Sequence, residues 1–342
     1  MNCQYFLGAN SAKGFFSLYG GFCRGEGDYL SIIKGGPGTG KSGFMRRIGR
    51  TAEQAGLDVE YVLCSGDSAS LDGVYIPSLH RGWMDGTSPH AAEPDAYGVN
   101  GDYVNLSCFC KTPLGRSEAA AAGELYKGYK GQYAAAYRFL AAVSAVRETE
   151  GGAALSPAEK RLIEKNISPL LPKSRRRGSE GKAAYRFLRC LSGTGEMVLA
   201  SEIEKSCKKT YTLFGGRKAA DYALKYLTRE ALCRGLSPIV CLSPFCPDEY
   251  EAVLLRETET AVANRHYTIA SAGNIALPAE EPMPDETVRQ ERELLSSAYR
   301  CLSSAKKQHD ELEKIYMAAM DFDALTAFTD SYIENLFSGT VC

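Results

Sequence analysis

The segment from Gly35 to Ser42, Gly-Gly-Pro-Gly-Thr-Gly-Lys-Ser, restricts the possible folds of this chain more than any other feature. It fits the spacing Gly-x4-Gly-Lys-[Ser/Thr]. The apolar residues 29–34 before it predict a short buried strand, and residues 41–56 predict a helix that stops at a glycine. Glycines let the chain turn around an anion so that backbone N–H groups reach its oxygens, and the helix N-terminus adds positive charge. A phosphate-binding loop is therefore predicted at Gly35, Gly36, Pro37, Gly38, Thr39, Gly40, Lys41 and Ser42.

Phosphate chemistry requires groups beyond this loop. Lys41 is expected to reach the β- and γ-phosphates of ATP, and the Ser42 hydroxyl to ligate Mg²⁺. Asp85 ends a short apolar segment and is the candidate carboxylate for the magnesium shell, although Asp85-Gly86 is equally typical of a surface turn. Asp67 follows the predicted strand 58–65, at the edge where ligands of open α/β sheets bind, and is expected to orient the attacking water.

Three functions stay open from these residues. The first is Mg²⁺-dependent ATP hydrolysis, with Lys41, Asp85 and Asp67 as catalytic residues. The second is phosphoryl transfer to a small molecule or nucleotide, with Asp67 or Asp72 as the base that accepts a hydroxyl proton. The third is a nucleotide-gated scaffold that binds a protein partner without appreciable turnover. The sequence has no Asn-Lys-x-Asp element to read guanine, which favours ATP over GTP.

Composition limits the partners. The 342 residues carry a net charge of −1, with 24% charged and 44% hydrophobic residues, so no overall basic field attracts nucleic acid or anionic lipid. No charged segment followed by an apolar one begins the chain and no run of 18 apolar residues occurs, which predicts a cytoplasmic protein without a membrane span. The 12 cysteines are scattered, which indicates reduced thiols. The pairs Cys108/Cys110 and Cys241/Cys246 are weak candidates for a metal site.

Four segments resemble a functionally uncharacterised bacterial family of tandem P-loop ATPases. They are residues 8–21 (GANSAKGFFSLYGG), 32–49 (IIKGGPGTGKSGFMRRIG), 57–77 (LDVEYVLCSGDSASLDGVYIP) and 83–98 (WMDGTSPHAAEPDAYG). The resemblance is dense over residues 8–107 and weaker afterwards. It implies ATP binding and a duplicated P-loop fold but no substrate, and it implies site roles for Asp67, Asp72, Asp85, Thr87 and His90.

A degraded second copy of the pattern is predicted in the C-terminal half. Residues 210–227 (TYTLFGGRKAADYALKYL) repeat the strand, the two glycines and the helix, but they lack the Gly-Lys-Ser end. Further on, residues 237–255 align with 58–76 and residues 266–275 align with 81–90, which puts Ala270 or Ser271 in the place of Asp85. A single nucleotide site per chain is therefore expected.

Two arginines of the second copy offer a sharper role for it. Arg217 or Arg265 would stabilise the transition state if either reached the first site as an arginine finger, although ordinary surface arginines are the more common case. The sequence does not fix the direction of either side chain.

The predicted fold class is α/β of the P-loop NTPase type, a mostly parallel sheet flanked by helices and present twice. The predicted divisions are a P-loop domain at 1–170, a basic linker at 171–184 and a degenerate domain at 185–342. Three consecutive arginines in the linker, Arg175 to Arg177, are more typical of a solvated loop than of a nucleic-acid site.

Long helices are expected after the strands of each copy, at 117–149 and 156–166 and again from Asp285 to Phe337. They are predicted to form appended helical hairpins, which are candidate surfaces for a protein partner; the oligomeric state stays open. Four tyrosines of the first long helix lie on one face because their spacings are three and four, and packing against another helix is a more common use of such a face than base stacking. They are Tyr126, Tyr129, Tyr133 and Tyr137.

Overall fold

The computed structural model describes residues 2–88, 93–111, 113–149, 154–173, 181–270, 272–280 and 282–338. The strands of the first half are β1 (Cys3–Tyr5), β2 (Gly8–Ser11), β3 (Gly14–Ser17), β4 (Tyr29–Lys34), β5 (Glu60–Leu63), β6 (Leu71–Ile76), β7 (Arg81–Asp85) and β8 (Gly101–Asn105). Those of the second half are β9 (Ala184–Arg186), β10 (Arg189–Ser192), β11 (Gly195–Val198), β12 (Lys209–Phe214), β13 (Ile239–Leu242), β14 (Tyr250–Leu255), β15 (Thr260–Asn264) and β16 (Gly273–Ala276).

Seven helices complete the described part of the chain: α1 (Lys41–Gln54), α2 (Arg116–Thr149), α3 (Pro157–Ile167), α4 (Ala200–Ser206), α5 (Arg217–Cys233), α6 (Asp285–Ala319) and α7 (Phe322–Phe337). The sequence favours helix α3 through a capping box, in which Ser156 and Glu159 bond each other's backbone N–H groups ahead of the apolar positions. None of the described helices is both long enough and apolar enough to cross a membrane.

The two halves build the same six-stranded sheet. The strand order is β1-β5-β6-β7-β4-β8 in the first half and β9-β13-β14-β15-β12-β16 in the second. Corresponding pairs run in the same directions, and an irregularity in register falls at the same place, after Val62 in the first sheet and after Cys241 in the second. The sheets are mixed, because β6 and β14 are antiparallel to both of their neighbours. The prediction of a duplicated α/β chain with sheets flanked by helices is confirmed at this level.

The register corrects one alignment. Ile33 lies opposite Asp85 between β4 and β7, and Leu213 lies opposite Asn264 between β12 and β15. Since Ile33 and Leu213 are the fifth residues of their strands, Asn264 is the counterpart of Asp85. The alignment of residues 266–275 with 81–90 is therefore wrong, as is the assignment of Ala270 to the place of Asp85; Ser271 lies outside the described residues. The alanine-rich strand β15 has no Trp or Gly like those of β7, and the segment that follows it was therefore aligned with β7 instead.

The halves are joined across an approximate two-fold relation. Phe6 and Phe187, which are equivalent residues, exchange both backbone hydrogen bonds, each 2.9 Å long. The long helices α2 and α6 pack along each other in antiparallel fashion, with Tyr129 against His309 near one end and Arg147 bonded to Glu291 near the other. A buried core with residues from both halves surrounds this junction.

The remaining helices cross between the halves. Ile163 of α3 is buried with residues of β12 and α5 in the second half, whereas Phe328 and Tyr332 of α7 contact Phe44 of α1 in the first half. The predicted hairpins of neighbouring helices are therefore wrong, because each helix buries its apolar face on an element distant in sequence. Amphipathic spacing reveals a face to be buried but not its partner.

Candidate functional site

The glycine-rich loop, residues 35–40, connects the buried strand β4 to the first residue of α1. Gly38 and Gly40 have φ angles of +70° and +89°, a region that side chains with a Cβ disfavour. A Cβ at Gly35 would collide with the Thr39 hydroxyl, which donates to the Gly36 carbonyl at 2.8 Å. The loop is thus a tight turn ahead of the N-terminus of a 14-residue helix, where backbone N–H groups and the helix dipole favour an anion.

Lys41 folds back over this loop. Its Nζ donates to the carbonyl oxygens of Gly35 and Gly36, at 2.9 and 2.7 Å, and lies 3.7 Å from Asp85 Oδ2. Asp85 ends β7, the parallel neighbour of β4, so adjacent strand ends bring the two side chains together. Its other oxygen, Oδ1, accepts from the backbone N–H and hydroxyl of Thr87, at 2.8 and 2.6 Å. Asp85 therefore closes a turn and also faces Lys41.

Ser42 is fixed by a neighbouring strand. Its hydroxyl oxygen accepts a hydrogen bond from the backbone N–H of Leu71, at 2.9 Å, at the start of β6. Ser42 and Asp85 both line the cavity that contains Lys41. A hydroxyl and a carboxylate are oxygen donors of the kind that Mg²⁺ prefers when substrate phosphates supply further ligands, so these residues fit a magnesium ion.

The two other candidate aspartates have separate environments. Asp67 Oδ1 accepts from the backbone N–H of Ala69 at 3.1 Å, while its Oδ2 lies 3.2 Å from Lys306 Nζ on α6. Asp72 is buried within β6 and accepts from the hydroxyl of Tyr19 at 2.6 Å. Both line the same cavity as the loop. His90 and Arg175 to Arg177 lie outside the described residues.

A cavity of about 640 Å³ opens beside the loop. Its walls are the loop, the segments after β5 and β7, one face of α2 and the C-terminal part of α6. All four tyrosines of α2 line it, together with Phe15, Lys130, His309, Glu313, Met317 and Phe322. The spacing of the tyrosines was visible in the sequence, but their position opposite the loop was not. Nothing in the local sequence of α6 indicated that its residues would enter a site formed by the first half.

The C-terminal helices lie directly on the glycine-rich loop. A Cβ added to Gly38 would approach the backbone oxygen of Glu313 to 2.7 Å, and one on Gly36 would approach the Tyr316 ring to 3.2 Å. One on Gly40 would lie 2.7 Å from Leu325 of α7. The loop therefore needs glycine for close packing against α6 and α7 as well as for its turn.

Among its described residues, the second half has no comparable loop. Tyr250, at the start of β14, donates its backbone N–H to Asp221 at 2.9 Å, as Leu71 does to Ser42. Asp221 is thus the counterpart of Ser42, and Ala220, the fourth residue of α5, is the counterpart of Lys41, the first residue of α1. Here the helix begins earlier and replaces part of the loop. The first backbone N–H groups of this helix donate to the carboxylate of Glu280, from Arg217 at 2.8 Å and from Lys218 at 3.2 Å.

The two arginines of the second copy lie elsewhere. Arg217 is ion-paired with Glu249 of its own half. Neither Arg217 nor Arg265 is among the described residues that line the cavity next to the glycine-rich loop. The basic residues among the described side chains that line it are Lys41, Lys130 and His309.

The cysteines within the described residues are free thiols. Burial raises the pKa of Cys64, which lines the cavity, well above its ordinary value and that of Cys241 to about 12, so both are protonated near neutral pH. Within the described ranges, the one group of side chains spaced like metal ligands is His309, Asp310 and Glu313 on α6, and neither cysteine pair belongs to it.

Comparisons with known proteins give no match: no protein-family model, no curated protein and no solved structure is significantly similar to this chain.

Proposed function

We propose that this chain is a P-loop NTPase that binds Mg²⁺ and ATP at residues 35–42 and hydrolyses ATP at this single site. The observation that carries the proposal is the convergence of Lys41 and Ser42 of α1 and Asp85 of β7 on one cavity at the start of a helix. A glycine-rich turn, a lysine and two oxygen ligands are the set that phosphoryl chemistry requires.

Each residue has a defined part in this proposal. Backbone N–H groups of the loop and Lys41 bind the phosphates, and Lys41 exchanges its bonds to the carbonyls of Gly35 and Gly36 for phosphate oxygens. Ser42 and Asp85 hold Mg²⁺, which neutralises charge on the phosphate oxygens when bound. Asp67, beyond the end of β5, orients water toward the γ-phosphate. Lys306 fixes that carboxylate from α6.

The second half supports a single site. The counterparts of Lys41, Ser42 and Asp85 are Ala220, Asp221 and Asn264, and Glu280 already bonds the helix N–H groups that would receive a phosphate. A carboxylate at this position repels a phosphate and leaves no donor for it. The proposal therefore assigns one ATP to each chain.

Phosphoryl transfer to a small molecule is a second candidate, favoured by the extent of the cavity. It continues from the loop to the tyrosines of α2, farther than a single attacking water requires. In such a reaction the acceptor hydroxyl oxygen bonds to the γ-phosphorus, and the bond from that phosphorus to the β–γ bridging oxygen breaks. The hydroxyl proton passes to Asp67, and ADP leaves.

The test compares Lys41→Ala with Lys218→Ala, a lysine near the N-terminus of α5 in the second half. ATP-analogue binding is measured by calorimetry and phosphate release by a colorimetric assay, both with Mg²⁺. Lys41→Ala is expected to lower phosphate release by at least about 100-fold, because it removes a charge from the transition state. Lys218→Ala is expected to change it by less than about twofold. Wild-type protein that binds no ATP analogue would refute nucleotide binding, and protein that binds it without phosphate release would refute hydrolysis alone.

A further inference from the structure

One part of the cavity is built differently from its counterpart in the second half. We call it the tyrosine chamber: the space bounded by Tyr126, Tyr129, Tyr133 and Tyr137 of α2 and by Asn10 and Gly66. The segments after β5 and β13 have the same length and the same turn, with Ser70 bonded to Asp67 and Glu249 bonded to Cys246, each at 2.8 Å. The residues can therefore be compared one by one.

In the second half the equivalent space is filled. Gly66 corresponds to Phe245, and Asn10, the third residue of β2, corresponds to Leu191 of β10. Phe245 and Leu191 are buried between α2 and α6 with Ala136, Leu140 and Leu302.

The helix residues also differ between the halves. Tyr129 and His309 meet at the tyrosine chamber, whereas their counterparts, Glu291 and Arg147, form an ion pair. Arg147 covers the ring of Phe245, 4.1 Å from its centroid. The same scaffold thus exists with this space filled and with it open, so an opening here is not imposed by the fold. Beside the glycine-rich loop, Gly66 and Asn10 occupy the positions that Phe245 and Leu191 have in the second half.

The rings of the chamber form a continuous aromatic wall. Tyr126 meets Tyr129 at 5.1 Å between centroids, Tyr129 meets Tyr133 at 6.1 Å, and Tyr133 meets Tyr137 at 6.0 Å. At its inner end the Tyr137 hydroxyl donates to Asn10 Oδ1 at 3.0 Å, while Asn10 Nδ2 donates to the Leu191 carbonyl. Burial raises the pKa of Tyr133 and Tyr137, so both hydroxyls stay protonated. Such a wall offers ring faces for stacking and hydroxyls for polar edges.

The charged side chains around the chamber have partners within its own wall, an ammonium group for Asp67 and an aromatic ring for Lys130. Asp67 lies 3.2 Å from Lys306, His309 lies 3.7 Å from Glu313, and Lys130 lies over the Tyr126 ring. A site for an anionic ligand would instead present unmatched cations. The chamber therefore suits a neutral molecule.

In the proposed function, Asp67 acts beyond the γ-phosphate of ATP. Gly66 directly precedes Asp67, and a Cβ on Gly66 would come within 2.9 Å of the Tyr133 hydroxyl. With ATP bound in that way, the tyrosines border the attacking side of the γ-phosphate rather than the side of the leaving ADP.

We infer that the tyrosine chamber binds a second small molecule, a neutral planar aromatic compound with hydroxyl groups of the nucleoside class, next to the γ-phosphate of ATP. This inference rests on the proposed function for the position of the phosphate, but the binding itself does not require turnover. The nucleoside stacks on Tyr129 and Tyr133, and its hydroxyl groups face Asp67. When no nucleoside is bound, water attacks the γ-phosphate instead, and ATP hydrolysis is then the basal reaction of the site.

The test uses the full chain and five probes: adenosine, guanosine, cytidine, uridine and thymidine. Saturation-transfer NMR measures their binding with and without a non-hydrolysable ATP analogue and Mg²⁺. At least one nucleoside is expected to bind in the presence of the analogue without displacing it. If no nucleoside binds in either condition, the inference is wrong. If a nucleoside binds but the ATP analogue does not, only the proposed function is contradicted.

A variant that copies the second half sharpens this test. Gly66→Phe introduces the residue found at the equivalent position and is expected to weaken nucleoside binding at least about tenfold, with the affinity for the ATP analogue changed less than about twofold. Tyr129→Leu provides the same readout if Gly66→Phe does not fold, and Tyr129→Phe is its control, which keeps the ring and is expected to keep binding. If Tyr129→Leu instead weakens the ATP analogue tenfold and nucleosides displace it, the rings hold the adenine of ATP and the second ligand is refuted.

Discussion

The two halves of this chain share one sheet topology but differ at the start of one helix. In the first half a six-residue glycine-rich loop precedes α1, and residues 36–40 of it line the cavity. In the second half α5 begins earlier, and its first N–H groups donate to Glu280. The same sheet topology therefore occurs once with a loop before the helix and once with a side-chain carboxylate at the helix start.

The halves also differ beneath the site. The buried acid of the third strand of each sheet is Asp72 in the first half, bonded to the Tyr19 hydroxyl, and Glu251 in the second, bonded to Arg189 at 2.5 and 3.0 Å. Arg189 corresponds to Gly8, where an added Cβ would lie 2.5 Å from the Phe15 ring, so the first half has no room for a side chain at this position. The second half thus has the features of a structural element, and its stability and the chemistry of the first half are expected to be separable.

The largest expected effect tests that structural part. Arg189→Met leaves Glu251 buried without its ionic partner, so the free energy of unfolding is expected to fall by about 3–5 kcal/mol. Urea denaturation followed by circular dichroism measures it. Arg24→Met, which removes an exposed ion pair with Asp95, is the control and is expected to cost less than about 1 kcal/mol. Equal losses in the two variants would mean that the buried pair does not stabilise the second half.

The second prediction compares equivalent strand ends. Asp85→Ala is expected to lower phosphate release about 100-fold and to raise the Mg²⁺ concentration needed for half-maximal rate, because a metal ligand is lost. Asn264→Ala, at the counterpart position, is expected to change the rate by less than about twofold. Steady-state assays over a Mg²⁺ series decide between them. A comparable loss in Asn264→Ala would show that the second half contributes to the reaction.

The smallest predicted effect concerns the crossing helices. Tyr332→Phe removes the acceptor of the Trp83 indole N–H, a bond of 2.9 Å between α7 and the first sheet, and is expected to cost about 1 kcal/mol of unfolding free energy. The matching change, at the contact between α3 and α5, is Tyr222→Phe, which removes a hydrogen bond from the Tyr222 hydroxyl to Glu164. Because this position is less buried, the expected loss of unfolding free energy is below about 0.5 kcal/mol. Urea curves of both variants give the values. A larger loss in Tyr222→Phe would reverse the order of the two crossings.

Local sequence was sufficient for the loop and its flanking elements. The strand before Gly35, the helix from Lys41 and the turn glycines depend on neighbouring residues, and the structure contains them at those positions. Lys41 and Asp85 lie close together because the parallel strands β4 and β7 end at the same edge of the sheet. The sequence was sufficient to predict this proximity. The duplication was visible for the same reason, since each copy repeats its own local pattern.

Contacts between distant segments were not predictable in this way. The place of Asp85 in the second half was misassigned because β15, Thr-Ala-Val-Ala-Asn, resembles no part of β7 in residue type. The wall formed by His309 and Glu313 depends on α6 crossing to the first half, and amphipathic spacing does not specify a partner. The tyrosines of α2 looked like a packing surface, and they do pack on one another, but they also line the cavity beside the glycine-rich loop.

The docking of α7 on the first sheet also bears on how the protein is synthesised. The core around Phe44 and Trp83 stays open until residues 322–337 have left the ribosome, although its strands are made first. The core of the N-terminal half is therefore completed only after α7 has been synthesised. Because Trp83 is the single tryptophan of the chain, its fluorescence reports this last step of maturation directly.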